Sequence, residues 1–410
     1  MPLRIVATTP DPALVTLPWG TPLEDWDATY VVPLPRGLSR HVVRIVRLGH
    51  DVYAVKETRE HAAFREYRTL RDLRRLDLPA VEPVGVVCGR ETPQGEDLEP
   101  ALVTRHLRYS LPYRSLFSHG LRADGVPRLV DALAVLLVRL HLEGFYWGDV
   151  SLSNVLFRRS AGDFAAYLVD AETGELHPQL SPGQREYDLE IAAVNVFGEL
   201  LDLQAGGLLD ESVDPHATVD RIHQRYRSLW QELTATEEFD ADEMWRIERR
   251  VERLNDLGFD VDELDIVTDI SGSTVRIQPK VVEAGHHARE LQGLTGLDVE
   301  DNQARRLLND IASFTAHHEL GGEDRAIVAH RWLTEVYEPV IAMVPPRLRG
   351  RLEPAEIFHE ILVHRWFLSE RAGHEVDIFE STRSYVDNVL AQRPEEAVTA
   401  EEDPQALLPE

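Results

Sequence analysis

Residues 148–157 read Gly-Asp-Val-Ser-Leu-Ser-Asn-Val-Leu-Phe. An aspartate and an asparagine five positions apart, Asp149 and Asn154, stand immediately before an apolar run that reads as a strand. Polar residues ahead of a strand commonly make no more than a turn. The stretch becomes chemically meaningful only if the rest of the chain supplies partners for that pair.

Two residue patterns supply them. The run Ala165-Ala166-Tyr167-Leu168-Val169-Asp170 reads as a second strand, antiparallel to the first across a short turn near Gly162. The start of one strand then lies beside the end of the other, so Asn154 and Asp170 reach one edge, where two oxygens could hold Mg²⁺. Asp149 lies on the loop just before. Upstream, the strand Tyr53-Ala54-Val55-Lys56 alternates, with Ala54 and Lys56 on one face. Ten residues on, Glu66 falls inside the apolar stripe Ala63, Tyr67, Leu70, Leu73 of a helix over 60–76. A carboxylate there needs a partner, and Lys56 is the candidate.

Lysine carries unusual weight in this chain. Only Lys56 and Lys280 are lysines among 43 cations; every other cation is arginine. A lysine placed on an inward strand face is therefore not there by compositional habit, and its compact ammonium is not equivalent to a guanidinium at a phosphate.

These motifs in their order resemble the protein-kinase-like fold, most closely its compact bacterial branches: lipopolysaccharide kinases, RIO-type kinases and aminoglycoside phosphotransferases. The resemblance covers residues 28–205 and implies ATP and Mg²⁺ as cofactors. It implies that Lys56 binds the α/β-phosphates, that Glu66 orients it, that Asp149 takes the acceptor proton, and that Asn154 and Asp170 ligate the metal. Gly37, the one glycine of Pro35-Arg36-Gly37-Leu38-Ser39, stands where the phosphate-covering loop is expected. Asp188 resembles the helical aspartate that braces the catalytic loop. The pattern also departs from the family. Trp147 replaces the catalytic-loop histidine, and Asp170-Ala171-Glu172 replaces Asp-Phe-Gly. With Asp188 so soon after Asp170 there is no long segment to seat a peptide.

The remaining chain reads as mostly helical, and two of its stretches, 282–311 and 364–377, resemble domain of unknown function 4032. Helices are expected across 283–319, 323–344, 353–371 and 375–391, after a hairpin over 264–282. The histidines of His359-Glu360-Ile361-Leu362-Val363-His364 are five apart, on different faces of a helix, so they do not make a zinc site.

Composition bounds the rest. The chain has 410 residues, 43% hydrophobic and 28% charged, with one cysteine and a net charge of −28. Residues 1–210 carry −7 and residues 211–410 carry −21, which argues against broad nucleic-acid binding. No uncharged run is long enough for a membrane span, and a cytoplasmic location is expected. The expected organisation is α+β. It comprises an extension over 1–27, a kinase-like N-lobe over 28–108 and a compact C-lobe over 109–209. A mostly helical accessory domain over 210–392 and a disordered acidic tail over 393–410 complete it. The expected function is phosphoryl transfer to a hydroxyl of a non-peptide acceptor: a small molecule, glycan or lipid head group. A nucleotide-binding pseudokinase with a regulatory or scaffolding role, or an AMP-transferring enzyme, are the alternatives. The helical domain would serve a protein partner or self-association.

Overall fold

A computed structural model describes residues 2–8, 11–27, 29–32, 41–49, 51–118, 121–240, 243, 245–268 and 274–393, with backbone alone at 260–268, 274–275 and 280–283. Gly37 and its loop, and the acidic tail beyond 393, lie outside the described residues. Among the described residues the chain divides into two compact units: residues up to 158 with 166–224, and residues 159–165 with 225–393. The sequence places a boundary at 210; the observed division falls inside one continuous helix, Pro215–Thr234.

The first unit is built on a five-stranded antiparallel sheet. Its members are β1 (Arg4–Ala7), β2 (Val43–Leu48), β3 (Asp51–Glu57), β4 (Pro83–Cys88) and β7 (Ala101–Arg105), in the order β1-β4-β7-β3-β2. A two-stranded ribbon, β5 (Arg90–Glu91) and β6 (Asp97–Leu98), joins β4 to β7. Among the described residues, Tyr30–Val32 adds a bridge from Val31 to Val46. β1 enters beside β4 with Ala7 opposite Gly85. A Cβ on Gly85 would lie 2.7 Å from the Val6 carbonyl oxygen, so this close pairing requires glycine.

Residues 14–26 pack onto this sheet. Leu14, Leu17, Trp19, Leu23 and Trp26 are buried in one cluster with Val46, Tyr53, Val55, Val87 and Val103 of the sheet. Arg90, 1% exposed, fastens them. It donates to the carbonyls of Trp19 (3.1 Å), Thr21 (2.8 Å) and Glu99 (2.7 Å) and pairs with Glu57 at 2.7 Å. A buried guanidinium is tolerated when its donors are satisfied in this way.

On the other face of the sheet lies α1 (Glu60–Arg75), burying Ala63, Glu66, Tyr67, Leu70 and Leu73. After β7 come β8 (Ser110–Pro112), α2 (Tyr113–Ser118) and α3 (Val126–Leu142). α3 buries eleven of its residues, as its nearly uninterrupted apolar sequence requires. β9 (Phe145–Tyr146) pairs with β12 (Glu175–Leu176), while β10 (Val155–Ser160) lies between β8 and β11 (Asp163–Leu168). The β10–β11 turn places Ala161 and Gly162 at φ 52° and 89°, the left-handed pair that a tight hairpin needs. α4 (Pro182–Ala205) opens with a capping box between Ser181 and Gln184, and α5 (Pro215–Thr234) follows.

The second unit contains β13 (Glu237–Asp240), α6 (Trp245–Asp256), β14 (Phe259–Thr268) and β15 (Thr274–Ala284), the strands ordered β13-β15-β14. Then come α7 (His286–Thr295), α8 (Asp301–His317), α9 (Arg325–Trp332), α10 (Glu338–Ala342), α11 (Pro354–Ala372) and α12 (Ile378–Asn388). Two expected helices are each broken. Gly296, at φ 77°, ends α7 and separates it from α8. A π-turn at Leu333–Tyr337 links α9 to α10, just ahead of Pro339, which has no N–H to donate. Trp332, Tyr337 and Phe358 pack at 5.1–5.7 Å in the centre of this core. Glu356 is buried there, accepting from Ala161 N at 2.7 Å and Gln303 Nε2 at 3.2 Å. Burial pushes its carboxyl up. Among the described residues no helix is long and apolar enough to cross a membrane.

Candidate active site

Strand alternation sends Tyr53 and Val55 into the sheet's apolar cluster, leaving Ala54 and Lys56 on the face toward α1. The Lys56 ammonium lies 2.9 Å from Glu66 Oε2 and 2.7 Å from Asp170 Oδ2. Burial opposes that charge, but the two carboxylates outweigh it and raise the lysine pKa. Glu66, 1% exposed, is pushed up to about 7 by burial and by the Asp170 charge, with Lys56 pulling the other way. The expected lysine–glutamate pair is therefore present, and Asp170 has joined it.

A third carboxylate crowds the same ammonium. Glu172 Oε2 stands 3.8 Å from Lys56 and 3.4 Å from His41 Nε2. Oxygens of Glu66, Asp170 and Glu172 all lie within 4.8 Å of one another. Carboxylate oxygens are the donors a hard divalent cation takes, and Asp170 and Glu172 are the partly exposed members. The residues present thus fit Mg²⁺. Glu172, in the sequence only a departure from Asp-Phe-Gly, thus faces the lysine.

Asp149 is placed by the loop between β9 and β10. Asp188 of α4, fully buried, accepts from Trp147 N and Gly148 N at 2.8 Å each, and lies 3.1 Å from His141 Nε2. Gly148 adopts φ 77°, which lets two successive N–H groups address one carboxylate. The loop is then closed by Asn154, whose amide nitrogen donates to the Asp149 carbonyl (2.9 Å) and to Asp149 Oδ2 (3.1 Å). Five-residue spacing is what this closure uses. The amide nitrogen being spent on Asp149, the amide oxygen of Asn154 is the atom a cation would take.

The two strand ends do meet. Val169 N donates to the Asn154 carbonyl at 3.0 Å, which sets Asn154 and Asp170 at one edge of the hairpin. Their side chains are engaged separately, Asn154 with Asp149 and Asp170 with Lys56. Trp147, in place of a histidine, is fully buried and donates its indole N–H to the Asp170 carbonyl at 3.0 Å. Its own carbonyl accepts from Thr173 Oγ1 at 2.8 Å.

Two further α4 residues touch the loop. Asn195 Nδ2 lies 3.0 Å from the Val150 carbonyl and 3.5 Å from Asp149 Oδ1. Glu199 accepts from the N–H groups of Leu152 and Ser153 at 2.8 Å each, and from the Ser153 hydroxyl. Burial raises the Glu199 pKa, against those hydrogen bonds. Neither residue was singled out in the sequence. A signal existed: Asp188, Asn195 and Glu199 are 7 and 11 positions apart, the spacing of one helix face. Other residues of chemically versatile type play structural parts. Cys88 is a buried core residue, His287 pairs with Asp301 at 2.8 Å, and His364 packs on Tyr385.

Comparison with known proteins divides the chain in the same two parts. Residues 41–191 match the lipopolysaccharide kinase (Kdo/WaaP) family, and residues 228–390 match a domain of unknown function, DUF4032. A 3-deoxy-D-manno-octulosonic acid kinase of Xanthomonas oryzae pv. oryzae is 29% identical over 202 residues, covering 48% of this chain and 74% of its own. The same-named protein of Xanthomonas campestris pv. campestris is 29% identical over 185 residues, covering 45% of this chain and 67% of its own. A solved structure of WaaP in complex with acyl carrier protein aligns with 61% of this chain and 98% of its own at 16% identity, TM-score 0.34. The first unit is thus similar to kinases of this type, and the α+β, kinase-like fold followed by a mostly helical region stands as expected.

Proposed function

We propose that the first unit transfers the γ-phosphoryl group of ATP, with Mg²⁺, to a hydroxyl of a sugar-containing acceptor. One observation carries the reading: Lys56, fixed between Glu66 and Asp170, stands at the strand edge where Asp149 and Asn154 are also presented. Lys56 would meet the α/β-phosphates, and Asp170 with Asn154 would hold the cation, which supplies charge neutralisation on the phosphates when bound. Glu66 and Asp188 orient Lys56 and the Asp149 loop in advance, the positioning on which phosphoryl transfer mainly relies. The sugar acceptor follows from the similarity to 3-deoxy-D-manno-octulosonic acid kinases.

The test uses the full chain. Thermal shift with ATP, with and without Mg²⁺, should show metal-dependent stabilisation. Labelled γ-phosphate should then appear on a member of a sugar panel that includes 3-deoxy-D-manno-octulosonic acid. Metal-independent binding without turnover would instead support a nucleotide-binding regulator. Glu172 favours that second reading, since a third carboxylate near Lys56 competes with phosphate for the ammonium.

A further inference from the structure

Resting on the phosphotransferase reading, we propose that Asn195 is a positioning residue that holds the Asp149 carboxylate for proton transfer. α4 turns one face to the catalytic loop: Asp188, Asn195 and Glu199 lie within about 40° of one another in helical phase, and each grips a successive part of residues 147–153. Asp188 binds backbone N–H groups at the start of the loop, and Glu199 binds N–H groups at its end. Asn195 alone of the three reaches the Asp149 side chain.

A side-chain amide nitrogen carries two hydrogens. In Asn195 one is fixed by the Val150 carbonyl at 3.0 Å, which aims the other at Asp149 Oδ1, 3.5 Å away. Asn154 takes the opposite oxygen, Oδ2, at 3.1 Å. The carboxylate is thereby bracketed and its rotation restricted. The Oδ1 contact is long, as catalytic hydrogen bonds often are before substrate binds. During transfer the acceptor oxygen forms its bond to the γ-phosphorus as the bond from that phosphorus to the β–γ bridging oxygen breaks and ADP departs. The acceptor proton passes to Asp149. Asn195 makes no contact with the phosphates in this scheme, so it acts on the rate and not on nucleotide binding.

The experiment compares full-length wild type, Asn195→Ala and Asn195→Gln. Alanine suits a helix interior, which keeps the fold; glutamine retains the amide donor. Calorimetry reads Mg·ATP affinity, and steady-state ATP hydrolysis, with water as acceptor, reads turnover. Asn195→Ala should lower kcat about 10- to 100-fold, the scale of a misplaced catalytic group. Its ATP KM and Kd should stay within about twofold of wild type, and Asn195→Gln should recover part of the rate. Wild-type kcat in Asn195→Ala overturns the proposal, as does a fall in kcat matched by a fall in ATP affinity. A wild type that neither binds nor hydrolyses Mg·ATP overturns the phosphotransferase reading and this one with it. Turnover by wild type that Asn195→Ala equals overturns the positioning role alone.

Discussion

The indole N–H of Trp147 meets the backbone carbonyl of Asp170 at 3.0 Å. The loop that presents Asp149 and the strand end that presents Asp170 are thereby tied through a fully buried side chain. Trp147 thus stands at the position where the sequence resemblance led to the expectation of a histidine, and it joins the two segments through an uncharged ring.

Lys56→Met should weaken Mg·ATP binding at least about tenfold, since a hydrogen bond to a charged group contributes about 1.5–3 kcal/mol. Lys56→Arg should also be impaired, because a planar fork does not fit a gap whose oxygens lie 2.9 and 2.7 Å from a single nitrogen. Calorimetry on both variants decides; unchanged affinity in either contradicts the assignment of Lys56 to phosphate.

Glu172→Gly should tighten ATP binding measured without metal, because a negative charge 3.8 Å from the Lys56 ammonium is removed. The gain should shrink as ionic strength rises, since Glu172 is partly exposed. Weaker binding in the presence of Mg²⁺ would show Glu172 to be a cation ligand. No change under either condition would mean that the third carboxylate is electrostatically silent.

Arg90→Met should destabilise the protein by about 3–5 kcal/mol, the range for removing one partner of a buried ion pair. Methionine fills the stem's volume but leaves Glu57 and the Trp19, Thr21 and Glu99 carbonyls without this donor. Urea unfolding followed by tryptophan fluorescence reports it, because Trp19 and Trp26 pack edge to face at 5.3 Å in the same cluster. A loss below about 1 kcal/mol, as for an exposed pair, would contradict it.

His106, following β7, has its pKa lowered from 6.5 to about 4 by burial. The folded value lies below the unfolded one, so its contribution to stability is complete above pH 6.5 and is lost as pH falls through about 4. Wild type should lose stability relative to His106→Gln across that window, as denaturant titrations at stepped pH would show. Parallel pH profiles for the two proteins would refute the shift.

The lysine–glutamate pair was legible because each residue violates a local habit: a lysine in an arginine-writing chain, and a carboxylate inside an apolar helical stripe. Asp149, Asn154 and Asp170 were legible from strand ends. Glu172 and Asn195 were not, for different physical reasons. Glu172 follows a strand end, where backbone direction is set by a turn: its own N–H donates to Asp170 Oδ1 at 3.0 Å. Asn195 sits in a helix whose opposite side also carries apolar residues, Tyr187, Val194 and Leu201, all exposed, so the hydrophobic pattern pointed to no single inward face. In the fold, the early segment escaped notice because its anchors Leu14, Leu17, Trp19, Leu23 and Trp26 are set by 3₁₀ turns and prolines, which follow neither the helical nor the strand period.

That early segment also sets an order of events during synthesis. β1 is synthesised before β4, its only sheet neighbour among the described residues, and β4 must in turn meet β7, which ends at Arg105. Until then Trp19 and Trp26 have no finished surface to cover them. Pairing across such sequence distance is slow, and apolar residues left waiting invite wrong contacts. Residues 14–26 are thus open to aggregation and to chaperones during synthesis until the sheet closes.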